Sequence, residues 1–146
     1  MMKNKTLLGF VLLWLVCSVP NAAASVETVV GHETEKYFFK YGKMDRFDGQ
    51  FENTYLVDSA QGTVTRTRVY DFHSKKIIPD ETVYTIQKEL LSNPDAATRY
   101  ALPPVIRAVG RPDSDSVELL VIEEYAVNTI RSTSNEVVLS RSKRLR

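Results

Sequence analysis

The chain is poor in the residue types that carry most catalysis. It has one cysteine, one tryptophan and two histidines. The cysteine, Cys17, lies in an apolar N-terminal stretch, so the rest of the sequence has no thiol nucleophile, disulfide framework or thiolate metal site. No Gly-x-Ser-x-Gly elbow occurs, and the six glycines are scattered singly. Neither a phosphate-cradling loop nor a dinucleotide fingerprint can be built from them, and no cofactor is expected. An excess of one charge is lacking too. The 19 Lys and Arg face 18 Asp and Glu, a balance that gives no overall attraction for nucleic acid.

Lys3 and Lys5 precede a nearly unbroken apolar run from Thr6 to Val19, ended by Pro20. Asn21-Ala22-Ala23-Ala24 then supplies the small side chains that a signal peptidase selects. The run falls short of the about 20 residues a spanning helix needs, and Val16 before Cys17 is not the small residue that lipoprotein processing requires. The expectation is a signal peptide over 1–24, cleaved after Ala24, and one exported domain over 25–146. Losing Lys3 and Lys5 leaves the basic residues one short of the 18 acidic ones. That domain would hold no tryptophan and no Asn-x-Ser/Thr site, since Asn53-Thr54-Tyr55 and Asn128-Thr129-Ile130 both fail the pattern. Export without a cysteine framework points to a bacterial periplasmic or secreted protein held together by packing alone.

Aromatic residues crowd Glu35 to Tyr41, which suits a half-buried pleated surface, and a strand is expected there. Phe51, Tyr55 and Val57 alternate with Glu52, Thr54 and Leu56, the turn formers Asp58 to Gly62 follow, and Thr63 to Phe72 is again β-rich. That pattern predicts a hairpin. Val83, Ile86, Leu90 and Leu91 fall at helical spacing behind Asp80 and Glu81, which predicts a helix near 80–92, closed by Ser92-Asn93-Pro94. The β-branched Thr82, Val83, Thr85 and Ile86 argue instead for a strand over the first half of that segment. Val105–Val109, Val117–Ile122, Tyr125–Ile130 and Val137–Leu139 read as further strands in a meander. The fold class expected is mainly β, with α+β as the alternative: an antiparallel meander or small barrel of six to eight strands with one helix.

Tyr125-Ala126-Val127, a polar turn, and then Val138-Leu139-Ser140-Arg141-Ser142 resemble the last two strands of lipocalins. The resemblance covers about the last 20 residues. It implies a small antiparallel barrel holding an apolar ligand in its mouth, with Arg141 in the place of that family's barrel-closing arginine. The family's Gly-x-Trp near the first strand is absent. An open sheet wrapped on the helix is the competing architecture.

Chemistry is sparse. Asp71-x-His73 could set a carboxylate beside an imidazole, although such pairs at hairpin ends are commonly solvated. His32-Glu33-Thr34-Glu35 has no partner at metal-ligand spacing. Neither a metal site nor an enzyme is expected. On Thr63 to Phe72, strand alternation puts Val64, Arg66, Arg68, Tyr70 and Phe72 on one face and Thr63, Thr65, Thr67, Val69 and Asp71 on the other. If the first face is buried, two guanidinium groups need anionic partners, and the head of an anionic amphiphile would supply them. If the second face is buried, both arginines are solvated.

The functional expectation is an exported binding or carrier module for an apolar or anionic amphiphilic ligand such as a lipid, with Arg66, Arg68, Tyr70, Tyr55 and Tyr37 as ligand-binding residues and Phe39 beside them. The alternative is a cell-envelope interaction or structural protein with a filled core. In either case Arg141, Lys143, Arg144 and Arg146 could touch an anionic envelope surface.

Overall fold

The computed structural model describes residues 26–87 and 105–146. The expected leader, its cleavage site and the last five residues of the expected helix, 88–92, lie outside the described residues. Strand β1 (Val26–Lys40) turns through Tyr41-Gly42, both at positive φ (50° and 73°), as a two-residue hairpin turn requires. The chain returns along the same edge of β1, first as β2 (Lys43–Asp48) and then as β3 (Phe51–Asp58). β2 pairs with the upper part of β1, from Glu35↔Asp48 to Lys40↔Lys43, and β3 with the lower part, from Val26↔Asp58 to His32↔Glu52. At the break, the Gly49 N–H donates to Thr34 O at 3.0 Å. A Cβ on Gly49 would lie 1.9 Å from Glu33 O, so only glycine fits.

The remaining strands follow as a meander: β4 (Thr63–Asp71), β5 (Lys76–Ile86), β6 (Ile106–Gly110), β7 (Val117–Ile122), β8 (Ala126–Ser132) and β9 (Val137–Leu145). Each pairs antiparallel with its neighbour in sequence, and β9 returns to β1, from Val30↔Leu145 to Phe39↔Val137. Eight strands thus close a barrel, and β2 is an extra strand on β1. The mainly β antiparallel barrel expected from the sequence is the architecture found.

The expected helix near 80–92 is corrected over the part described, where Asp80 to Ile86 belong to β5. Tyr84 is buried and Val83 is exposed, which is strand alternation. Val83 and Ile86 meet helical spacing by coincidence within a β-branched segment. The packing of Tyr84 between Val64 on β4 and Gly110 on β6 decides the conformation.

One end of the barrel is solid. Val29, Tyr55, Val57, Val64, Tyr84, Ala108, Leu120, Ile122 and Val127 fill it, with Ile86 and Ile106 packed against them. The Tyr55 and Tyr84 rings meet edge to face at 6.4 Å. Each large side chain there contributes about 1.5–3 kcal/mol of burial free energy. The other end, the mouth, carries the β4–β5, β6–β7 and β8–β9 turns, and the β1–β2 hairpin rises beside it.

A bulge in β4 settles which face of that strand is inside. The pairing with β3 steps from Thr54↔Arg68 to Tyr55↔Arg66, leaving Thr67 over, and the pairing with β5 shifts at the same place. The extra residue reverses the alternation. Below it Val64 and Arg66 point inward; above it Val69 and Asp71 do. The two readings of this strand's faces are each right for half of its length.

Candidate functional site at the mouth of the barrel

Where the apolar core stops, a buried charged group begins. Arg66, whose side chain is 12% exposed, reaches across the barrel to partners on two other strands, β5 and β7. Its Nη1 donates to Glu118 Oε1 on β7 at 2.8 Å, and its Nη2 pairs with Asp80 Oδ2 on β5 at 3.0 Å. The Tyr84 hydroxyl donates to the same Glu118 oxygen at 2.6 Å. Burial works against the Arg66 charge, and Tyr84, Glu118, Tyr55 and Asp80 more than offset it, so the guanidinium holds its proton more firmly than usual. For Asp80, burial is outweighed by hydrogen bonds from Thr82 and Arg66, which hold the carboxyl below its ordinary value. Burial pushes Tyr55 and Tyr84 up, and the Glu118 charge adds to the shift at Tyr84. Together these groups form the floor of the mouth.

Above this floor lies a cavity of about 350 Å³, bounded by Glu33, Lys36, Asn53, Thr129, Arg131 and Glu136 among others. Glu33 is buried, and its Oε2 accepts the backbone N–H groups of Gln50 (2.8 Å) and Phe51 (3.2 Å), which pins the β2–β3 break. Its other oxygen holds the Lys36 ammonium at 3.2 Å, and that ammonium sits 4.4 Å over the Phe51 ring. Arg131 pairs with Asp113 of the β6–β7 loop. A groove of about 430 Å³ continues the cavity outward under the β1–β2 hairpin. Cavity and groove share Lys36, Phe38 and Glu136, and the groove adds Lys40, Asp45, Phe47 and Asp48. Phe38 and Phe47 meet edge to face at 5.2 Å. A broader surface depression of about 750 Å³ lies where β5 and β6 part beyond Tyr84 and Gly110, and meets the charged group only at Asp80 and Thr82.

Of the residues expected at a ligand site, Arg66 alone borders this cavity. Arg68 points outward and lies 5.8 Å over the Tyr70 ring. Tyr70 is also outward and packs on Phe72, which contacts His32. Tyr55 is buried in the solid core. Tyr37 is outward, its hydroxyl donating to Glu35, and Phe39 is exposed beside it. The expected cluster of Tyr37, Phe39, Tyr55 and Tyr70 is therefore not brought together.

Asp71 does not pair with the His73 imidazole. Its carboxylate accepts the backbone N–H groups of His73 (2.8 Å) and Ser74 (3.2 Å), the Ser74 hydroxyl and the Gln50 amide. Against the opposing effect of burial, the Gln50, Ser74 and His73 hydrogen bonds lower its pKa to about 2. The basic end is part of β9 rather than a free tail. Arg141 and Lys143 point outward from it, so Arg141 does not reach the barrel interior. Arg144 donates to Glu123 O and pairs with Glu27, and Arg146 pairs with Glu124.

Sequence reasoning passed over Glu33, Lys36, Asp80, Glu118 and Glu136. The signal for Glu118 was present, because it shares alternation with Leu120 and Ile122, the buried face of β7. Asp80 was read as a helix cap, and nothing local marks Glu33 or Glu136.

The class these features define is a small closed antiparallel barrel, solid at one end and hollow and charged at the other. Comparison of the chain with protein-family models, with curated proteins and with solved structures finds no match.

Proposed function

We propose that the protein is a lipocalin-like binding module that holds one small amphiphilic molecule in the mouth of its barrel. The observation that carries this reading is the continuity of a cavity of about 350 Å³, walled by both charged and apolar side chains, with an aromatic groove of about 430 Å³, through shared side chains. Volumes of this size suit small-molecule sites. The floor built from Arg66, Glu118 and Tyr84, with the solid core beneath, favours a short molecule lodged in the mouth over a long chain threaded through the barrel. The buried Arg66 that called for an anionic ligand has Glu118 and Asp80 for that purpose, so the polar part of the ligand need not be an anion. Export, expected from the leader, belongs to this reading.

The second reading, an envelope interaction protein, is favoured by the exposed apolar side chains of the β1–β2 hairpin, Phe39, Tyr41, Met44 and Phe47. Native mass spectrometry of the protein purified gently from its own cell, with an organic extract of the same sample, separates the two. A stoichiometric bound molecule is expected. A clean unliganded mass, with an empty extract, transfers the weight to the interaction reading.

A further inference from the structure

We infer that the ligand of the mouth is a cation, an amine carrying a short apolar body. The inference rests on the reading of the mouth as a ligand site. Every cation that borders the inner cavity already has a carboxylate: Lys36 has Glu33, Arg66 has Glu118 and Asp80, and Arg131 has Asp113. The carboxylates along the groove do not share this condition. Asp45, Asp48 and Glu136 border it, and none has an ion-pair partner among the described residues. The remaining cation there, Lys40, lies over the Tyr41 ring at 5.3 Å. An entering anion would meet cavity cations that are already paired and, along the groove, a single ammonium without a carboxylate among the described residues, Lys40, against three carboxylates without a cation. An entering amine would meet those carboxylates as partners.

The apolar part of the ligand is specified by the same groove. Phe38 and Phe47 place aromatic surface within the rim that carries the three carboxylates. A ring face and a carboxylate together make an ammonium site, and the protein already holds one such group this way. The Lys36 ammonium lies 3.2 Å from Glu33 and 4.4 Å over Phe51. The rim repeats those elements with Glu136 as the carboxylate and Phe38 or Phe47 as the ring. The Glu136 backbone is fixed in the β8–β9 turn because Thr133 brackets it: its N–H donates to Thr133 Oγ1 at 3.2 Å, and Thr133 N–H donates to Glu136 O at 2.9 Å.

The test is calorimetric titration of the purified protein at neutral pH with octylamine, octanoate and octanol, three probes of one chain length and different head charge. Octylamine is expected to bind about tenfold more tightly than octanol, with octanoate the weakest. Glu136→Gln is expected to weaken octylamine by about tenfold and leave octanol unchanged, and Asp45→Asn to weaken it less. Octanol or octanoate binding as tightly as octylamine would overturn the charge assignment and leave the mouth standing as a ligand site. Octylamine binding that neither variant alters would overturn it too. Failure of all three probes to bind would remove both the inference and the site reading beneath it. Unchanged circular dichroism of the two variants, both substitutions of a carboxylate by its amide, keeps folding out of the comparison.

Discussion

The same strands build the two ends of the barrel with opposite materials. At the solid end β1, β3, β7 and β8 contribute Val29, Val57, Ile122 and Val127; at the mouth they contribute Glu33, Phe51, Glu118 and Arg131. Strand alternation decides only which side chains face inward. Polar ones are tolerated there when each finds a partner, as Arg66, Glu118, Asp80 and Tyr84 do. Stability therefore resides mainly in the apolar end, where burial is strongly favourable. At the mouth the cost of desolvating charges cancels much of the attraction between them, and what remains is a shaped, charged surface.

Breaking a single member of the charged group is expected to have the largest effect. Arg66→Met leaves the buried Glu118 and the half-buried Asp80 without a counter-charge and should cost about 3–5 kcal/mol in urea unfolding. Adding Asp80→Asn and Glu118→Gln should recover most of that loss. A single variant costing under about 1 kcal/mol would mean that the mouth is wetter than its burial indicates. Leu120→Ala, made in the solid end, should cost about 3 kcal/mol, and no compensating charge change should rescue it. Rescue at one end and not at the other is what distinguishes them.

Acid should sharpen the contrast further. Asp71 has its carboxyl lowered from 3.8 to about 2, and Asp80 is lowered as well. Groups lowered on folding stabilise the native state fully above their unfolded value and lose that contribution as pH falls through the folded one. Between pH 3.8 and about 2 the mouth should therefore loosen first. Hydrogen exchange at the His73 and Ser74 backbone amides, which Asp71 accepts, should accelerate relative to that at Leu120 and Ile122. Asp71→Asn should remove most of this pH dependence. The smallest effect is expected at the hairpin tip, where Tyr41 is 84% exposed. Tyr41→Ala should change stability by less than about 0.5 kcal/mol, and a larger cost would show that the tip packs on something.

Much of the barrel was legible in the sequence, because four of its strands announce themselves by alternation, by β-rich composition or by an apolar run. Phe51 to Val57, Thr63 to Phe72, Val117 to Ile122 and Tyr125 to Ile130 all became strands in register with their neighbours. β2 was missed because Lys43-Met44-Asp45-Arg46-Phe47-Asp48 is exposed along its whole length and carries no inward apolar face. The site was less legible. The bulge at Thr67, which sends Arg66 inward and Arg68 outward, has no glycine or proline on β4 itself to mark it; the nearby proline, Pro79, stands opposite Arg68 on β5, a neighbour that only strand pairing supplies. The partners of Arg66 come from β5 and β7, whose nearness is a product of barrel closure and not of local sequence.

That closure carries a kinetic consequence. The seam between β1 and β9 joins segments far apart in the chain; the Thr34 hydroxyl and the Arg141 carbonyl oxygen it bonds are 107 positions apart. Contacts of such separation are slow to form, because much chain entropy is lost before they contribute anything. Until the seam closes, two long strands present unpaired backbone edges, and another copy of the chain can pair with them as readily as the proper partner. Refolding yield should therefore fall as protein concentration rises, with the seam as the step at which productive folding and aggregation compete.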